Sequence, residues 1–369
     1  MNSTRHQATN PLTGEELVVR DVINETVDTT RLSVLRALGT LGNPTTRTEI
    51  TNHAKISRQA VSNHLAVLRD RGFVRNHETE IKPTAGGLLL LDVIETCLQT
   101  IPVQELAYLT RSDHPLNILQ KLKDESYRLT DLHTVVGDPP SQPTIRRVLS
   151  DLMEYGWTED HGGKQQITTT GQDALNAYRE LSLAVQQLIE KAPWLQRLPP
   201  EDATFPIHAL ADAKLIVSNP ANPGSVLSTV FNLYDRDTSR FRGLCSIFHP
   251  VLFSAYRTAY ELLNFSIDSE ITFDWPTFVK IANTDNTHYI LDSLELSDYD
   301  IYALEYAHTL GIGIYDDRRV AIGAYNESGT GNHVAMIISS NNELVDWGIG
   351  LYDSYREQST HADKIDLSR

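Results

Sequence analysis

This sequence predicts a mainly α chain with an α/β C-terminal part, on three observations. Residues Thr46 to Gly72, TRTEITNHAKISRQAVSNHLAVLRDRG, read as two helices joined by a tight turn, the second polar on one face and apolar on the other. A related pattern recurs between Leu129 and Gly156, and from about Phe205 the texture changes to short strand-like runs separated by helical stretches. Together they predict tandem winged helix-turn-helix domains followed by an α/β sandwich domain. The expected boundaries are a polar N-terminal arm over 1–27, winged helix-turn-helix domains over 28–100 and 101–170, a long helix and linker over 171–200, and an α/β sensor or oligomerisation domain over 201–369.

The arm has turn signals at Asn10-Pro11 and Thr13-Gly14. Leu32, Leu35 and Leu38 then fall at helical spacing, and Gly42-Asn43-Pro44 stops the helix. Thr46 and Glu49 form a capping box for a short helix, and Ser57 caps the next. On that second helix Val61, Leu65 and Leu68 make the buried stripe, which Gly72 closes. Phe73-Val74-Arg75 and Glu80-Ile81-Lys82 read as a hairpin wing, and Leu88 to Leu98 as a closing helix.

The second copy begins near Pro115, with Leu116, Leu119 and Leu122 on one face. Thr130 is expected to cap a short helix, Gly137-Asp138-Pro139-Pro140 to form a loop, and Ser141 to cap the helix carrying Ile145, Leu149 and Leu152, with Pro143 in its first turn. Trp157-Thr158-Glu159 and Gln166-Ile167-Thr168 flank a second wing. The long segment Thr170 to Lys191 follows, its apolar stripe placed either against its own domain or against a second subunit. Beyond Pro193 and Pro199-Pro200, strands are expected at Leu244–Phe248, Ile271–Phe273, Ile301–Tyr306, Val320–Tyr325 and Val334–Ile338. Helices are expected at Val251–Leu263, Pro276–Leu291 and Leu344–Arg356, around a mixed sheet.

Charge tests the nucleic-acid reading. The net charge of −16 opposes phosphate, but it is unevenly spread. Residues 201–369 hold 11 basic against 24 acidic side chains, whereas Arg31 to Ala85 hold 9 against 4. The reading head is locally basic and the acid lies elsewhere. Two cysteines, Cys97 and Cys245, cannot build a disulfide framework or a zinc cluster on their own. The longest apolar patch, Leu88 to Leu91, is broken by Asp92, and no basic-then-apolar leader is visible, so no membrane partner and a cytoplasmic location are expected.

On the first recognition helix Arg58, Gln59, Ser62 and Asn63 project away from the stripe. Arginine can fork onto guanine and an amide onto adenine. His64, beside Leu65 and Leu68, fits half-buried packing at least as well. Arg75, His77 and Lys82 on the wing suit phosphate or minor groove, against the alternative of an ordinarily solvated hairpin. In the second copy Gln142, Thr144, Arg146 and Arg147 hold the equivalent helix places and Lys164 the wing. There a DNA role stands level with a packing or dimerisation role.

In the C-terminal region, where an enzyme would sit, no Walker loop, G-x-S-x-G, H-E-x-x-H or H-x-K pair occurs, and Gly311-Ile312-Gly313 and Gly329-Thr330-Gly331 lack the rest of a dinucleotide fingerprint. His249, His288, His308 and His333 have no metal-ligand spacing. No enzyme, cofactor or metal is therefore expected. A small-molecule effector, if one binds, would meet the aromatic side chains Phe248, Tyr256, Trp275, Tyr302 and Tyr306, residue types that more often make core.

Residues 41–75, with ISRQAVSNHLAVLRDRGFV from Ile56 to Val74, resemble the winged-helix regulators of the arsenical-repressor and multiple-antibiotic-repressor type. From about Tyr108 onward the chain is similar to archaeal winged-helix transcription regulators with a methanogenesis-regulatory C-terminal domain, a group abundant in salt-adapted archaea. The matching pieces are GWTED at Gly156 to Asp160, the following TTTGQDAL, LADAKLIVSNPANP at Leu210 to Pro223, and DWGIGLYDSYRE at Asp346 to Glu357. Lys55 stands where glycine is usual in the turn, the second copy has the longer GDPP connection, and the extra N-terminal winged helix departs from the usual arrangement. The resemblance implies a DNA-binding transcriptional regulator with double-stranded DNA as partner, an effector-sensing or oligomerisation domain, and a homodimer. The competing reading is a non-catalytic winged-helix scaffold for protein partners.

Overall fold

The computed structural model describes residues 7–11, 13–42, 44–77, 80–136, 141–218, 225–234, 237–248, 250, 254, 267–282, 286–325 and 333–365. The chain divides into two compact units, Met1–Ala192 and Pro193–Arg369.

The first unit opens with a correction. Residues expected as a polar arm fold into strands β1 (Gln7–Thr9) and β2 (Glu16–Val18), paired antiparallel, and helix α1 (Val19–Thr26). Asn10 and Gly14 form the turn, Gly14 at φ 70°, and Ala8, Leu17, Val19, Val22 and Ile23 are buried. Strands of three residues carry too little alternation to stand out of a polar sequence.

The first winged helix follows as α2 (Thr29–Leu41), α3 (Arg47–Ala54), α4 (Arg58–Asp70), β3 (Val74–His77), β4 (Glu80–Pro83) and α5 (Ala85–Leu98). Its local chemistry is as the sequence predicts. Thr46 Oγ1 accepts from the Glu49 N–H, and the Glu49 carboxylate accepts from the Thr46 N–H at 2.8 Å. Ser57 Oγ accepts from the Ala60 N–H, and Gly72 turns the chain at φ 82°. A helix that the sequence reading missed, α6 (Val103–Thr110), joins this domain to the next.

The second winged helix is α7 (Asp113–Asp124), α8 (Leu129–Val135), α9 (Gln142–Glu154), β5 (Thr158–His161), β6 (Lys164–Ile167) and α10 (Thr169–Glu190). Thr130 lies inside α8 and does not cap it: its hydroxyl turns to the Asp131 carboxylate at 3.1 Å. The Gly137–Pro140 loop lies outside the described residues. Leu175, Tyr178, Leu181, Val185 and Leu188 on α10 are all buried within this unit. The long stripe is thus used in packing against α1, α5 and α7 of its own chain.

The second unit is built on an eight-stranded mixed sheet. Its strands are β7 (Lys214–Val217), β8 (Arg240–Cys245), β9 (Asp268–Asp274), β10 (Tyr299–Leu304), β11 (Leu310–Tyr315), β12 (Arg319–Tyr325), β13 (His333–Ser339) and β14 (Ser359–His361). Their order is β14-β10-β9-β8-β11-β12-β13-β7, with β8, β9 and β10 parallel and every other pair antiparallel. Strands β7, β11 and β14 went unread in the sequence. The stretch expected as one helix at Pro276–Leu291 is two, Trp275–Ala282 and Thr287–Leu294, and the Val251–Leu263 helix falls outside the described residues, Ser254 excepted. One sheet face carries Phe241, Phe273, Ile301 and Met336 against Val226, Phe278, Ile281 and Ile290. The other carries Leu244, Ile312, Val320 and Ile322, and helix Asn342–Arg356 packs on it so closely that a Cβ on Gly348 would stand 2.7 Å from Val320 Cγ2. The result is an α/β sandwich, and the fold class is mainly α with an α/β C-terminal part.

Among the described residues no single helix is long and apolar enough to cross a membrane. The apolar pair α5 and α6 would qualify only together, and it bends by 105°.

Candidate nucleic-acid interface

Helix α4 stands on Val61, Leu65 and Leu68, all buried, which fixes its rotation and leaves Arg58, Gln59 and Asn63 exposed with Ser62 half-buried. Gln59 Nε2 donates to Asn63 Oδ1 at 2.9 Å, one turn away. One donor–acceptor pair between the two amides is spent, and the Gln59 carbonyl and Asn63 amino group remain to meet base edges. His64 is half-buried. Burial chiefly, then the Arg31 guanidinium, holds its imidazole below the ordinary range, with Asp28 opposing. That is the packing alternative read from the sequence.

On the wing Arg75 and Lys82 face each other in the β3–β4 register, both half-buried. Like charges directly opposite on a two-stranded ribbon repel, so an anion between them is favoured. The His77 backbone belongs to β3, but its side chain lies outside the described residues. Lys55 sits in the turn before α4 at φ 54° and ψ 39°, a left-handed conformation, with its side chain exposed.

The second head is the structural counterpart of the first but distributes its charge differently. Gln142, Arg146 and Arg147 are exposed on α9, while Thr144 is half-buried and its hydroxyl lies 2.9 Å from Ser141 Oγ, within the helix cap. In the wing, Glu159 pairs across to Gln166 where the first wing pairs Arg75 with Lys82. Gln166 Nε2 donates to the Glu159 carboxylate at 2.6 Å, and Asp160 accepts from Gln165 Nε2 and the Gly163 N–H. Lys164 is exposed opposite His161. The first wing carries Arg75 and Lys82, and the second carries Lys164 beside two carboxylates, while both recognition helices expose arginine, Arg58 on α4 and Arg146 and Arg147 on α9.

Sequence reasoning missed the residues that hold these heads together. Arg71, at the C-terminus of α4, reaches Glu15 and Glu25 at 3.4 Å each. Arg20 on α1 pairs with Asp113 at the start of α7, and Thr110 Oγ1 is 3.2 Å from Asn24 Oδ1. The N-terminal hairpin and α1 therefore bracket both winged helices. No local signal marks these pairs, because each spans tens of residues.

In the second unit the five aromatic residues proposed for an effector are not gathered into one site. Tyr256 lies outside the described residues. Trp275 and Tyr306, each largely exposed, lie at the carboxyl ends of β9 and β10, joined by a 3.5 Å backbone bond, and Phe248 lies just past β8 against Tyr289. Tyr302 instead points to the sheet face under helix Asn342–Arg356, where the Arg356 guanidinium stacks 3.0 Å from its ring centre. Tyr306 also meets that helix, its ring 6.5 Å from Tyr355, whereas Trp275 stacks on Phe278 and Phe248 on Tyr289. Gly311 and Gly313 lie inside β11, where the first makes room for the Tyr325 ring, and they form no phosphate loop.

Three family models match in order along the chain. Residues 28–76 match the bacterial regulatory protein, arsR family; residues 103–187 match the HVO_A0261 N-terminal domain; and residues 223–358 match the methanogenesis regulatory protein FilR1, middle domain. None of the curated proteins matches the chain. Among solved structures, TrmBL2, described as an archaeal chromatin protein with a novel mode of DNA binding, is similar at 11% identity over 92% of this chain and 98% of its own, with a TM-score of 0.31. Nuc, a phospholipase D family member from Salmonella typhimurium, is 16% identical over 41% of this chain and 98% of its own, with a TM-score of 0.31. NucT from Helicobacter pylori is 13% identical over 41% and 98%, with a TM-score of 0.32. Likeness at that level carries no argument about chemistry. The family matches do: this chain joins an arsR-type helix-turn-helix segment to a FilR1-type middle domain, the make-up of a helix-turn-helix transcription regulator.

Proposed function

We propose that the chain reads a specific DNA sequence with α4 in the major groove, its first wing on the backbone, and its second unit setting whether that happens. The observation that carries this is the polar row Arg58, Gln59 and Asn63, exposed on a helix whose opposite face is locked by a fully buried stripe. Lys82 and Arg75 supply backbone attraction in a chain whose net charge of −16 gives none overall. The first head leads, because the carboxylates of the second wing repel phosphate; Gln142, Arg146 and Arg147 then add contacts through α9 alone. The sheet unit serves as a sensor or oligomerisation domain, with the carboxyl ends of β8, β9 and β10 the place where an α/β sheet takes ligand. No catalytic step belongs to this reading.

The test is selection of bound sequences from a random duplex library, followed by fluorescence anisotropy on the winner. Combined Arg58→Ala and Gln59→Ala is expected to abolish preference for the selected site, each lost base pairing costing roughly 1–3 kcal/mol. Unchanged preference in that variant would rule out α4 as the reader. Absence of any salt-dependent DNA affinity would favour a scaffold for protein partners instead.

A further inference from the structure

Between α7 and α10 the surface opens into a cleft of about 380 Å³, within the roughly 300–1,000 Å³ range of small-molecule sites. Its floor is apolar and buried: Leu116 from α7, with Leu175 and Tyr178 from α10. Its rim carries Lys123 from the last turn of α7 and Arg179 from the middle of α10, both exposed and neither in an ion pair among the described residues. Leu183, 45% exposed, extends the apolar wall to the surface. Asp124 shares the rim and leaves it one positive charge in excess.

A cleft with an oily floor, an apolar exit and two cations at the mouth is complementary to one chemical class. We propose that it binds a medium-chain alkyl carboxylate, the chain lying over Leu116, Leu175 and Tyr178 toward Leu183 and the carboxylate held by Lys123 and Arg179. Both charges favour the anion, and each methylene removed from water adds to affinity. A second copy of the chain fits less well, since a two-fold contact through this rim brings the two cations of one copy toward those of the other. The walls are the opening helix of the second winged helix and the long helix that packs on α1 and α5. An occupant therefore wedges between two helices of the second head, of which α10 is the one packed on α1 and α5.

Calorimetric titration of the full chain with sodium octanoate and sodium decanoate tests this, and needs no DNA, so its outcome is independent of the regulator reading. One equivalent of each should bind, decanoate more tightly by about 15-fold, which is roughly fourfold per methylene. The combined Lys123→Gln and Arg179→Gln variant should bind decanoate at least tenfold more weakly, and decanamide should bind wild type as weakly as decanoate binds that variant. Asn176→Trp, an exposed rim position, should block the cleft and leave the fold intact by circular dichroism. No binding at millimolar concentration, several equivalents insensitive to these variants, or equal binding of decanamide would each overturn the proposal. So would self-association in sedimentation that Leu183→Lys abolishes, because a second copy would then own the cleft.

Discussion

Gly87 and Gly171 occupy the same place in the two winged helices and meet the same obstacle. A Cβ on Gly87 would overlap the carbonyl oxygen of Phe73, and a Cβ on Gly171 that of Trp157. Each glycine sits one turn into the closing helix, and its N–H donates to a capping threonine, Thr84 at 3.1 Å and Thr168 at 3.0 Å. The same threonines bond back to Gly72 and Gly156, which end the recognition helices. Helix end, wing start and closing helix are thus tied in one small knot, made twice.

Alanine at Gly87 or Gly171 is therefore expected to destabilise the first unit by about 1–3 kcal/mol, since backbone must move rather than a flexible side chain. Gly350 is the control. It lies in helix Asn342–Arg356 with nothing within 4 Å of an added Cβ, and Gly350→Ala should raise stability by up to about 1 kcal/mol. Urea midpoints decide; a loss at Gly350 equal to that at Gly87 would refute the steric account.

Lys55 holds a left-handed backbone without being glycine. Lys55→Gly should stabilise the first winged helix by about 0.5–1 kcal/mol, the relief of strain less the extra chain entropy. The same change removes a cation at the N-terminal end of α4. Paired melting and anisotropy measurements should show a higher melting point with weaker DNA binding. A gain in both would mean that Lys55 makes no phosphate contact.

The two wings make opposite electrostatic predictions. Arg75→Ala and Lys82→Ala should each weaken DNA binding about equally on all sequences and make the slope of log K against log salt shallower by about 1. Glu159→Lys in the second wing should strengthen binding and steepen the slope. Salt titrations of the three variants on one duplex suffice, and a Glu159→Lys variant indistinguishable from wild type would show that the second wing stands clear of the backbone.

How much of this was readable in advance depended on distance along the chain. The first head was legible because its signals are local: the Thr46–Glu49 box, the Ser57 cap and the Val61, Leu65, Leu68 stripe all act within one or two turns. Helix α6 was missed although apolar, since Pro102 and Glu105 are weak start signals and no side chain caps it. Strand β11 was missed because Gly311 and Gly313 weaken the β signal, their absent side chains accommodating Tyr325, Tyr315 and Phe241. The aromatic residues picked for an effector were the least legible, as composition cannot say on which side of a sheet Tyr302 will fall.

Arg20 and Asp113 form the least exposed ion pair of the bracket, their side chains 15% and 19% accessible. Arg20→Ala removes this guanidinium from the Asp113 carboxylate and should cost about 2 kcal/mol, in the range of a charge-assisted hydrogen bond. Arg71→Ala, whose pairs with Glu15 and Glu25 are longer and whose carboxylates are more exposed, should cost less than about 1 kcal/mol. Double-mutant cycles with Asp113→Ala and Glu25→Ala give the coupling directly. Equal coupling in the two pairs would contradict the burial argument. If the bracket sets the spacing of the heads, Arg20→Ala should also weaken binding to a site long enough for both while leaving a short site for the first head unaffected.

His308 gives the second unit a pH dependence of defined sign. Its imidazole lies at the carboxyl end of β10, where burial pushes its pKa down to about 3. Nδ1 accepts from the Leu310 N–H at 3.1 Å and lies 2.9 Å from Ser246 Oγ, so protonation there forfeits an acceptor at the start of β11. In the unfolded chain the ring titrates near 6.5. Because the folded value is lower, the unfolded state takes up the proton first as pH falls. The stability this group contributes is complete above about pH 6.5 and drains away between there and about pH 3. From pH 7 to pH 5 the loss should reach about 2 kcal/mol, a little under 1.4 kcal/mol for each pH unit below 6.5. His308→Asn keeps a side-chain acceptor near the same place but does not titrate, so it should flatten this part of the profile. Hydrogen exchange at the amides of β8 and β11 reads the second unit without interference from His64 in the first. If the variant and wild type lose protection in parallel over that range, the pH dependence belongs to another group.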